Sequence, residues 1–251
     1  MGNNDKKIAL VTGGTGGIGT AICQRLATDG MKVVATYSRP AKKEQAEQWL
    51  AEQRELGHDM ELVCVNVSNF DSCEQAATDI TQRIGDVDVV VNNAGITRDS
   101  VMKKMEVGMW DSVLQTNLNS VFNVTKQFLD GMISKKYGRV INISSINAQK
   151  GQFGQVNYSA AKAGMHGFTK ALAQEVARKG ITVNTISPGY IATSMIMAIE
   201  ETVRDKIEAQ IPIGRFGQPE EIARVVSFLA AEDAGFITGS NISANGGQHM
   251  F

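Results

Sequence analysis

The sequence predicts one α/β domain in which a parallel sheet of about seven strands is covered by helices on both faces. Short runs rich in Val and Ile alternate with longer helical stretches along nearly all 251 residues. Several of these runs are continuously apolar, as strands are when both faces of their sheet are buried. The sequence contains no low-complexity linker and no internal repeat, which favours a single domain.

The apolar runs give the predicted strands, which are Ile8–Thr12, Lys32–Tyr37, Glu61–Asn66, Val87–Asn92, Arg139–Ser144, Ile181–Ile186 and Gly239–Ser243. The stretches between them give the predicted helices, which are Gly17–Gly30, Ala41–Gly57, Phe70–Ile84, Leu118–Lys135, Tyr158–Lys179 and Pro219–Ala231. Repeated βα units with right-handed crossovers build a doubly wound, Rossmann-type sheet. We expect one domain over residues 1–251, with a nucleotide-binding half of about 1–115 and a catalytic and substrate half of about 116–251. The Met-rich segment Ala192–Gly217 has no strand partner, and we expect either a lid over the site or a plain surface helix.

Composition excludes several classes of function. The net charge of −1 offers no field for nucleic acid or an anionic membrane. No apolar run approaches the ~18 residues of a membrane span, and Met1–Lys7 lacks a signal-peptide pattern. The cysteines are odd in number and form no CxxC motif, which favours reduced thiols and a cytoplasmic protein; they are Cys23, Cys64 and Cys73. The histidines show no metal-ligand spacing, so no metal site is expected; they are His58, His166 and His249.

A glycine-rich turn joins the first predicted strand to the first predicted helix. The sequence TGGTGGIG spans Thr12–Gly19, and the helix begins near Gly17. Glycines let backbone N–H groups approach a pyrophosphate, and the helix N-terminus adds unpaired donors and its dipole. An isolated glycine match is equally a tight turn, but the strand–turn–helix context favours dinucleotide binding. The predicted contacts are Thr12, Gly13, Gly14, Gly17, Ile18 and Gly19.

The residues after the second strand indicate which dinucleotide binds. NAD-binding sites place an acid there for the ribose 2′-hydroxyl, whereas this chain has Ser38 and Arg39 and no acid before Glu44. Ser38 and Arg39 are suited to charge-assisted hydrogen bonds with a 2′-phosphate. NADPH is therefore the predicted cofactor, and the alternative is that Arg39 is only a solvated loop cation.

Tyr158 and Lys162 stand four residues apart near the start of a helix, so they share one face. Ser145 follows a predicted strand at the edge of the sheet where α/β proteins bind ligands. A neighbouring ammonium favours the phenolate and should lower the pKa of Tyr158, while a serine hydroxyl can bond a substrate carbonyl. The YxxxK pair alone more often means an ordinary helix surface; the combination with Ser145 suits ketone reduction.

The chain resembles the short-chain dehydrogenase/reductase family. The motifs TGGTGGIG, NNAG, QTNLNS with Asn117, Ser145, YSAAK and PG occur in the order and spacing of that family and extend over most of the chain. The resemblance implies that Tyr158 donates the proton, that Lys162 lowers its pKa and holds the nicotinamide ribose, that Ser145 polarises the carbonyl and that Asn117 supports a proton-relay water.

The same resemblance implies further contacts with the cofactor. They are Asn66 and Val67 near the adenine, Asn93, Ala94, Gly95 and Ile96 beside the adenosine, and Pro188, Gly189 and Ile191 beside the nicotinamide carboxamide. The family often has Asp where this chain has Asn66. We expect the Asn66 amide to offer adenine both a donor and an acceptor.

Within the family, NNAGITRD, KGQFGQ, SPGYIATSM and NGGQHM resemble the acetoacetyl-CoA reductases of polyhydroxybutyrate synthesis. This implies NADPH-dependent reduction of acetoacetyl-CoA to (R)-3-hydroxybutyryl-CoA and a homotetramer paired through Asn117–Lys135 and Tyr158–Lys179. The implied acyl-pocket residues are Asp99, Gln152, Phe153, Gly154, Gln155 and Tyr190, although residues 152–155 are also readable as an ordinary glycine loop. The alternatives are a 3-oxoacyl-(acyl-carrier-protein) reductase of fatty-acid synthesis and a non-catalytic NADP-binding sensor, and the intact Tyr158–Lys162 pair argues against the sensor.

Overall fold

A computed structural model describes residues 6–250 and shows one sheet of seven strands, all parallel. The strands are β1 (Ile8–Val11), β2 (Lys32–Tyr37), β3 (Met60–Cys64), β4 (Val89–Asn92), β5 (Gly138–Ile143), β6 (Ile181–Pro188) and β7 (Asn241–Ala244). Their order across the sheet is β3-β2-β1-β4-β5-β6-β7. The predicted fold class is confirmed, and most of the predicted boundaries differ from the observed ones by a few residues. Most of Met1–Lys7 lies outside the described residues.

The helices are α1 (Gly17–Thr28), α2 (Lys43–Glu55), α3 (Phe70–Arg83), α4 (Val107–Leu114), α5 (Ser120–Lys135), α6 (Asn147–Lys150), α7 (Val156–Val176), α8 (Ser194–Met197), α9 (Glu201–Glu208) and α10 (Pro219–Ala230). Helix α4 was not predicted, and a π-helical turn over Gln115–Asn119 joins it to α5. The segment Ala192–Gly217 is not one helix, because it contains the two short helices α8 and α9. Within residues 6–250, no helix combines the length and apolarity that a membrane span requires.

The helices cover both faces of the sheet, as strands with two buried faces require. Ile8 and Leu10 pack with residues of α3, α5 and α7, whereas Ala9 and Val11 pack on the opposite face with residues of α1 and α10. This alternation within one fully buried strand follows from the two-residue repeat of β structure. The two apolar clusters hold the strand ends in place, where the polar residues of the sequence motifs emerge.

A buried polar network stiffens the sheet beneath those ends. The Asn92 side chain donates to Asn142 Oδ1 (2.8 Å) and to Thr125 Oγ1 (3.1 Å), so it joins β4 to β5 and α5. Asn142 donates to Thr169 Oγ1 of α7 (2.9 Å), and Thr169 shares a hydrogen bond with Thr185 of β6 (2.7 Å). Buried amides and hydroxyls are costly unless they are paired. This network therefore fixes the position of α7 relative to β4, β5 and β6.

Candidate active site

The glycine turn after β1 is held by side chains from neighbouring strands. Thr12 Oγ1 accepts from the backbone N–H groups of Asn93 and Ala94, each at 3.0 Å. The Asn93 side chain donates to the carbonyl oxygens of Thr12 (2.9 Å) and Gly13 (3.2 Å). Thr36 of β2 accepts from the Gly13 N–H at 3.1 Å. The turn after β1 and the NNAG segment after β4 are therefore one rigid unit.

This turn has the geometry that a pyrophosphate requires. Gly13 has a φ of 63°, which favours glycine, and a Cβ on Gly19 would collide with the Gly13 carbonyl oxygen. Helix α1 has no side-chain cap and no acid in its first turn, so its first N–H groups, which have no acceptor one turn earlier in the helix, are not capped by a side chain. The residues present therefore fit a dinucleotide phosphate, which such a helix terminus binds through its donors and its dipole.

Ser38 and Arg39 are exposed just beyond the end of β2. Among residues 6–250, the Arg39 guanidinium forms no ion pair or hydrogen bond, so it remains available to an anion. Asn66 lies beyond β3, and its Oδ1 already accepts from the N–H and Oγ of Ser68 at 3.2 and 2.8 Å. The expectation that Asn66 offers adenine both a donor and an acceptor is therefore corrected, because only Nδ2 remains. Val67 is buried against α3 and α5.

Asn117 lies in the π-helical turn and is fully buried. Its amide makes a pair of hydrogen bonds with the Ile96 backbone, accepting from the N–H and donating to the carbonyl oxygen, both at 2.8 Å. A Cβ on Gly95 would lie 3.4 Å from Asn117 Oδ1 and 3.5 Å from Lys162 Nζ, so Gly95 occupies the gap between these two side chains. The observed role of Asn117 is to fix the backbone beside this gap; its support of a relay water stays a prediction.

The three side chains predicted to act on a carbonyl lie together at the carboxyl ends of the strands. Ser145 follows β5, and its hydroxyl lies close enough to the Tyr158 phenol of α7 to influence the pKa of that phenol. Lys162 Nζ lies 5.7 Å from the centre of the Tyr158 ring and donates to the Ile143 carbonyl oxygen at 2.7 Å. Only 3% of Lys162 is exposed. The ammonium is therefore anchored to β5 beneath the phenol rather than bonded to it.

The electrostatics differ from the sequence expectation that Lys162 lowers the pKa of Tyr158. Burial raises the pKa of Tyr158 above its ordinary value, the nearby Ser145 hydroxyl opposes this effect, and the Asp99 carboxylate adds to it. Burial also lowers the pKa of Lys162 to about 7, which weakens its charge near neutral pH. Tyr158 therefore favours its protonated form, because desolvation outweighs the opposing effect of the Ser145 hydroxyl.

Helix α7 is held in place by polar side chains that the sequence motifs did not reveal. Asn157 is buried and donates to the Arg98 carbonyl oxygen at 2.9 Å, while its Oδ1 accepts from the Tyr158 N–H at 2.8 Å. Ser144 Oγ donates to the Lys162 carbonyl oxygen at 2.9 Å and lies 3.1 Å from His166 Nε2. These hydrogen bonds hold the first turns of α7 between the loop after β4 and the end of β5.

The predicted acyl-pocket residues divide into two groups. Asp99, Gln155 and Gly154 are joined to the site, because Gln155 Nε2 donates to Asp99 Oδ2 at 2.8 Å and the Ser100 N–H donates to the Gly154 carbonyl oxygen at 2.8 Å. Gln152 and Phe153 are exposed, and 87% of Phe153 is accessible, so the protein alone does not pack the ring as a pocket wall.

The remaining predicted residues lie where β6 ends. The Ile146 N–H donates to the Pro188 carbonyl oxygen at 2.8 Å, which brings the PG turn beside the Ser145 loop. A Cβ on Gly189 would lie 2.8 Å from the Asn245 backbone, and Gln248 Oε1 accepts from the Tyr190 N–H at 3.4 Å. The C-terminal segment therefore supports the predicted nicotinamide end of the site.

The two ends of the segment Ala192–Gly217 meet in a short parallel bridge. Ile191 forms a β-bridge with Gly217, and the Ala192 N–H donates to the Gly217 carbonyl oxygen at 2.8 Å. Thr193 packs on the glycine turn, because a Cβ on Gly17 would lie 3.0 Å from its methyl group. The segment thus starts over the predicted phosphate site, while its movement as a lid stays a prediction.

Sequence reasoning missed Thr36, Asn147 and Asn157. Thr36 lies on β2 and faces Gly13 across the sheet, and no local motif reveals such a contact. Asn147 and Asn157 do stand close to Ser145 and Tyr158 in the sequence. Polar residues at positions that the helix pattern buries were the available signal, since buried amides need partners.

Comparison with known proteins agrees with this geometry. The model of the short chain dehydrogenase family matches residues 7–204. The chain is 57% identical over 245 residues to an acetoacetyl-CoA reductase of Cupriavidus necator, a match that covers 98% of this chain and 99% of the relative. It is 54% identical to an acetoacetyl-CoA reductase of Allochromatium vinosum over 97% of this chain and 99% of that relative. It is 45% identical to a 3-oxoacyl-(acyl-carrier-protein) reductase of Vibrio cholerae over 99% of each. The chain belongs to the short-chain dehydrogenase/reductase family.

Proposed function

We propose that this chain reduces acetoacetyl-CoA to (R)-3-hydroxybutyryl-CoA and uses NADPH as the reductant. One observation carries the proposal: Ser145, Tyr158 and Lys162 lie together at the strand ends, in the half of the site opposite the glycine turn. The names of the relatives at 57% and 54% identity support the choice of substrate. Polyhydroxybutyrate synthesis, which the sequence resemblance implies, is the proposed process.

Ketone reduction requires a hydride on carbon and a proton on oxygen. A bound nicotinamide would supply the hydride. Tyr158 donates the proton, and its raised pKa keeps that proton in place until the developing alkoxide takes it. Ser145 donates to the carbonyl oxygen and stabilises its growing charge. Lys162, which is held beneath the phenol by the Ile143 carbonyl oxygen, would bind the ribose of the nicotinamide, and Asn117 keeps the Ile96 backbone beside both groups.

The proposed cofactor contacts follow the same surface. The glycine turn from Thr12 to Gly19 takes the phosphates, Asn66 to Val67 and Asn93 to Ile96 border the adenosine, and Pro188 to Ile191 border the nicotinamide. Ser38 and Arg39 would bind the 2′-phosphate, because Arg39 is exposed and its guanidinium is unpaired among residues 6–250. The presence of Ser38 and Arg39 at this position is the reason why we propose NADPH rather than NADH.

Two further features of the proposal concern assembly and location. Val121, Val124 and Phe128 of α5 are buried within the chain, whereas Phe122 is exposed on the other side of that helix, where a second subunit would cover it. We propose a homotetramer that pairs through the helices around α5 and α7. The free thiols of Cys23, Cys64 and Cys73 suit a reducing cytoplasm, which is the proposed location.

The second candidate is reduction of a 3-oxoacyl group carried on an acyl-carrier protein. The Vibrio cholerae relative at 45% identity favours it, and the site chemistry is the same for both substrates. The higher identity of the two acetoacetyl-CoA reductases favours the first candidate.

The test is product analysis with the purified protein, NADPH and acetoacetyl-CoA, with the Tyr158→Phe variant as the matched control. The proposal predicts (R)-3-hydroxybutyryl-CoA as the chiral product of the wild-type protein, formed in step with NADPH oxidation, and almost none from the variant. The (S) product, or equal product from both proteins, contradicts it.

A further inference from the structure

Hydrogen bonds link Asp99 to Ser145 through two amide side chains. Gln155 Nε2 donates to Asp99 Oδ2 at 2.8 Å, and Asn147 Nδ2 donates to Gln155 Oε1 at 2.9 Å. The Asn147 backbone N–H then donates to Ser145 Oγ at 3.1 Å. This series of hydrogen bonds joins the loop after β4, the residue before α7 and the start of α6. It therefore ties the predicted acyl pocket to the serine that faces Tyr158.

The direction of each bond in this chain follows from the carboxylate at its end. An ionised carboxylate only accepts hydrogen bonds, whereas an amide has a donor end and an acceptor end. Gln155 must turn its NH₂ group to Asp99, which leaves its carbonyl oxygen facing Asn147. Asn147 must then turn its own NH₂ group to Gln155.

The far end of Asn147 does not favour either direction. Asn147 is only 9% exposed, and its Oδ1 is buried without a hydrogen-bond partner among the described residues. Reversing both amides would place Asn147 Nδ2 in that position instead, so one buried polar atom of Asn147 lacks a partner in either direction. The reversed direction would also set the Gln155 carbonyl against the Asp99 carboxylate, so Asp99 selects the observed one.

We propose that Asn147 is a positioning residue that, together with Asp99, holds Gln155 as a hydrogen-bond donor toward the thioester carbonyl of the substrate. Asn147 occupies the Gln155 oxygen, and Asp99 occupies one of the two Gln155 amide hydrogens. The second hydrogen is left for the substrate, and a thioester carbonyl can only accept. This inference rests on the proposed function, since it takes Gln155 to line the acyl pocket.

Three variants and one control separate this role from simple structural support. Asn147→Asp puts an acceptor on each side of Gln155, and we expect KM for acetoacetyl-CoA to rise at least about tenfold while kcat stays within about threefold. Asp99→Asn removes the charge that selects the direction, so both directions become populated and we expect KM to rise about twofold. Gln149→Glu adds the same charge to the same short helix, but Gln149 contacts Ser243 instead of Gln155, so KM should stay within about twofold.

The double variant N147D/D99N decides the question. Its introduced carboxylate accepts from Gln155 and its introduced amide donates to Gln155, so the chain is complete again with its direction reversed. We expect the free energy of unfolding lost in N147D to return, while KM stays at least about tenfold raised because the Gln155 donor now points the other way. A purely structural role predicts that stability and KM recover together.

Four results would overturn the proposal: recovery of KM in the double variant, no recovery of its stability, a KM for N147D within about twofold of wild type, or a tenfold rise in KM for D99N alone. The last result would mean that Asp99 acts on the substrate directly. A wild-type protein that fails to reduce acetoacetyl-CoA would instead overturn the proposed function. In that case, the unfolding free energies of N147D, D99N, Q149E and the double variant still decide whether Asp99 sets the direction of these hydrogen bonds.

Discussion

The burial of Lys162 predicts a specific dependence of stability on pH. Its side chain is 3% exposed, and burial lowers its pKa from the ordinary 10.5 to about 7. Between these values the unfolded chain binds a proton at this lysine that the folded chain does not. The free energy of unfolding therefore rises with pH across this window, by about 1.4 kcal/mol for each pH unit.

The perturbation that isolates this effect is Lys162→Met, which keeps the length and apolar volume of the side chain and removes the titrating amine. From pH 7.5 to 9.5 the unfolding free energy of the wild type should rise by about 2–3 kcal/mol relative to the variant. All other groups titrate in both proteins, so their contributions cancel in the difference.

The assay is equilibrium urea denaturation of both proteins at several pH values, with the protein concentration held constant. Lys170→Met serves as the matched control, because Lys170 lies two turns farther along α7 and is exposed. The wild type and this control should differ by an amount that does not change with pH. A difference between wild type and Lys162→Met that also stays constant over this pH range would contradict the lowered pKa of Lys162, since Lys162 would then carry its charge in the folded protein.

Three other predictions concern turnover and cofactor binding. Tyr158→Phe should lower kcat by about 100-fold or more with NADPH binding retained, and a variant that keeps over a tenth of wild-type turnover, with chemistry limiting, would exclude Tyr158 as the proton donor. Arg39→Ala should weaken NADPH binding by about tenfold to a hundredfold and NADH binding by less than about twofold; equal losses in fluorescence titrations would contradict a 2′-phosphate contact. Thr36→Val should raise the Kd for NADPH by about fivefold to tenfold with kcat unchanged, because the Gly13 N–H loses its acceptor. An unaltered Kd would show that NADPH binding by the glycine turn does not depend on this hydrogen bond.

The sheet was predictable because each strand carries its own apolar signal. β2 was predicted at its observed bounds, Lys32–Tyr37, since a lysine and a polar turn delimit the run. Helix α4 was missed because Val107–Leu114 is short and has a weakly amphipathic pattern, so packing against α7 decides its conformation more than local preference. The π-helical turn at Gln115–Asn119 likewise has no local signature; it places the Asn117 amide on the Ile96 backbone.

The residue types of the site were predictable, but their electrostatics were not. The spacing of Tyr158 and Lys162 shows that they share a helix face, yet it does not show that Lys162 bonds the Ile143 carbonyl or that burial raises the pKa of Tyr158. Both effects depend on how deeply α7 packs between β5 and the loop after β4. The direction of the Asn147–Gln155 amides depends in the same way on a carboxylate distant in sequence, Asp99.

The proposed substrate is tested most directly by the ratio of kcat/KM for acetoacetyl-CoA to kcat/KM for the same acyl group on acyl-carrier protein, measured with NADPH. We expect the wild-type protein to prefer the CoA thioester. A preference for the carrier-protein thioester by about tenfold, equivalent to ~1.4 kcal/mol, would contradict it.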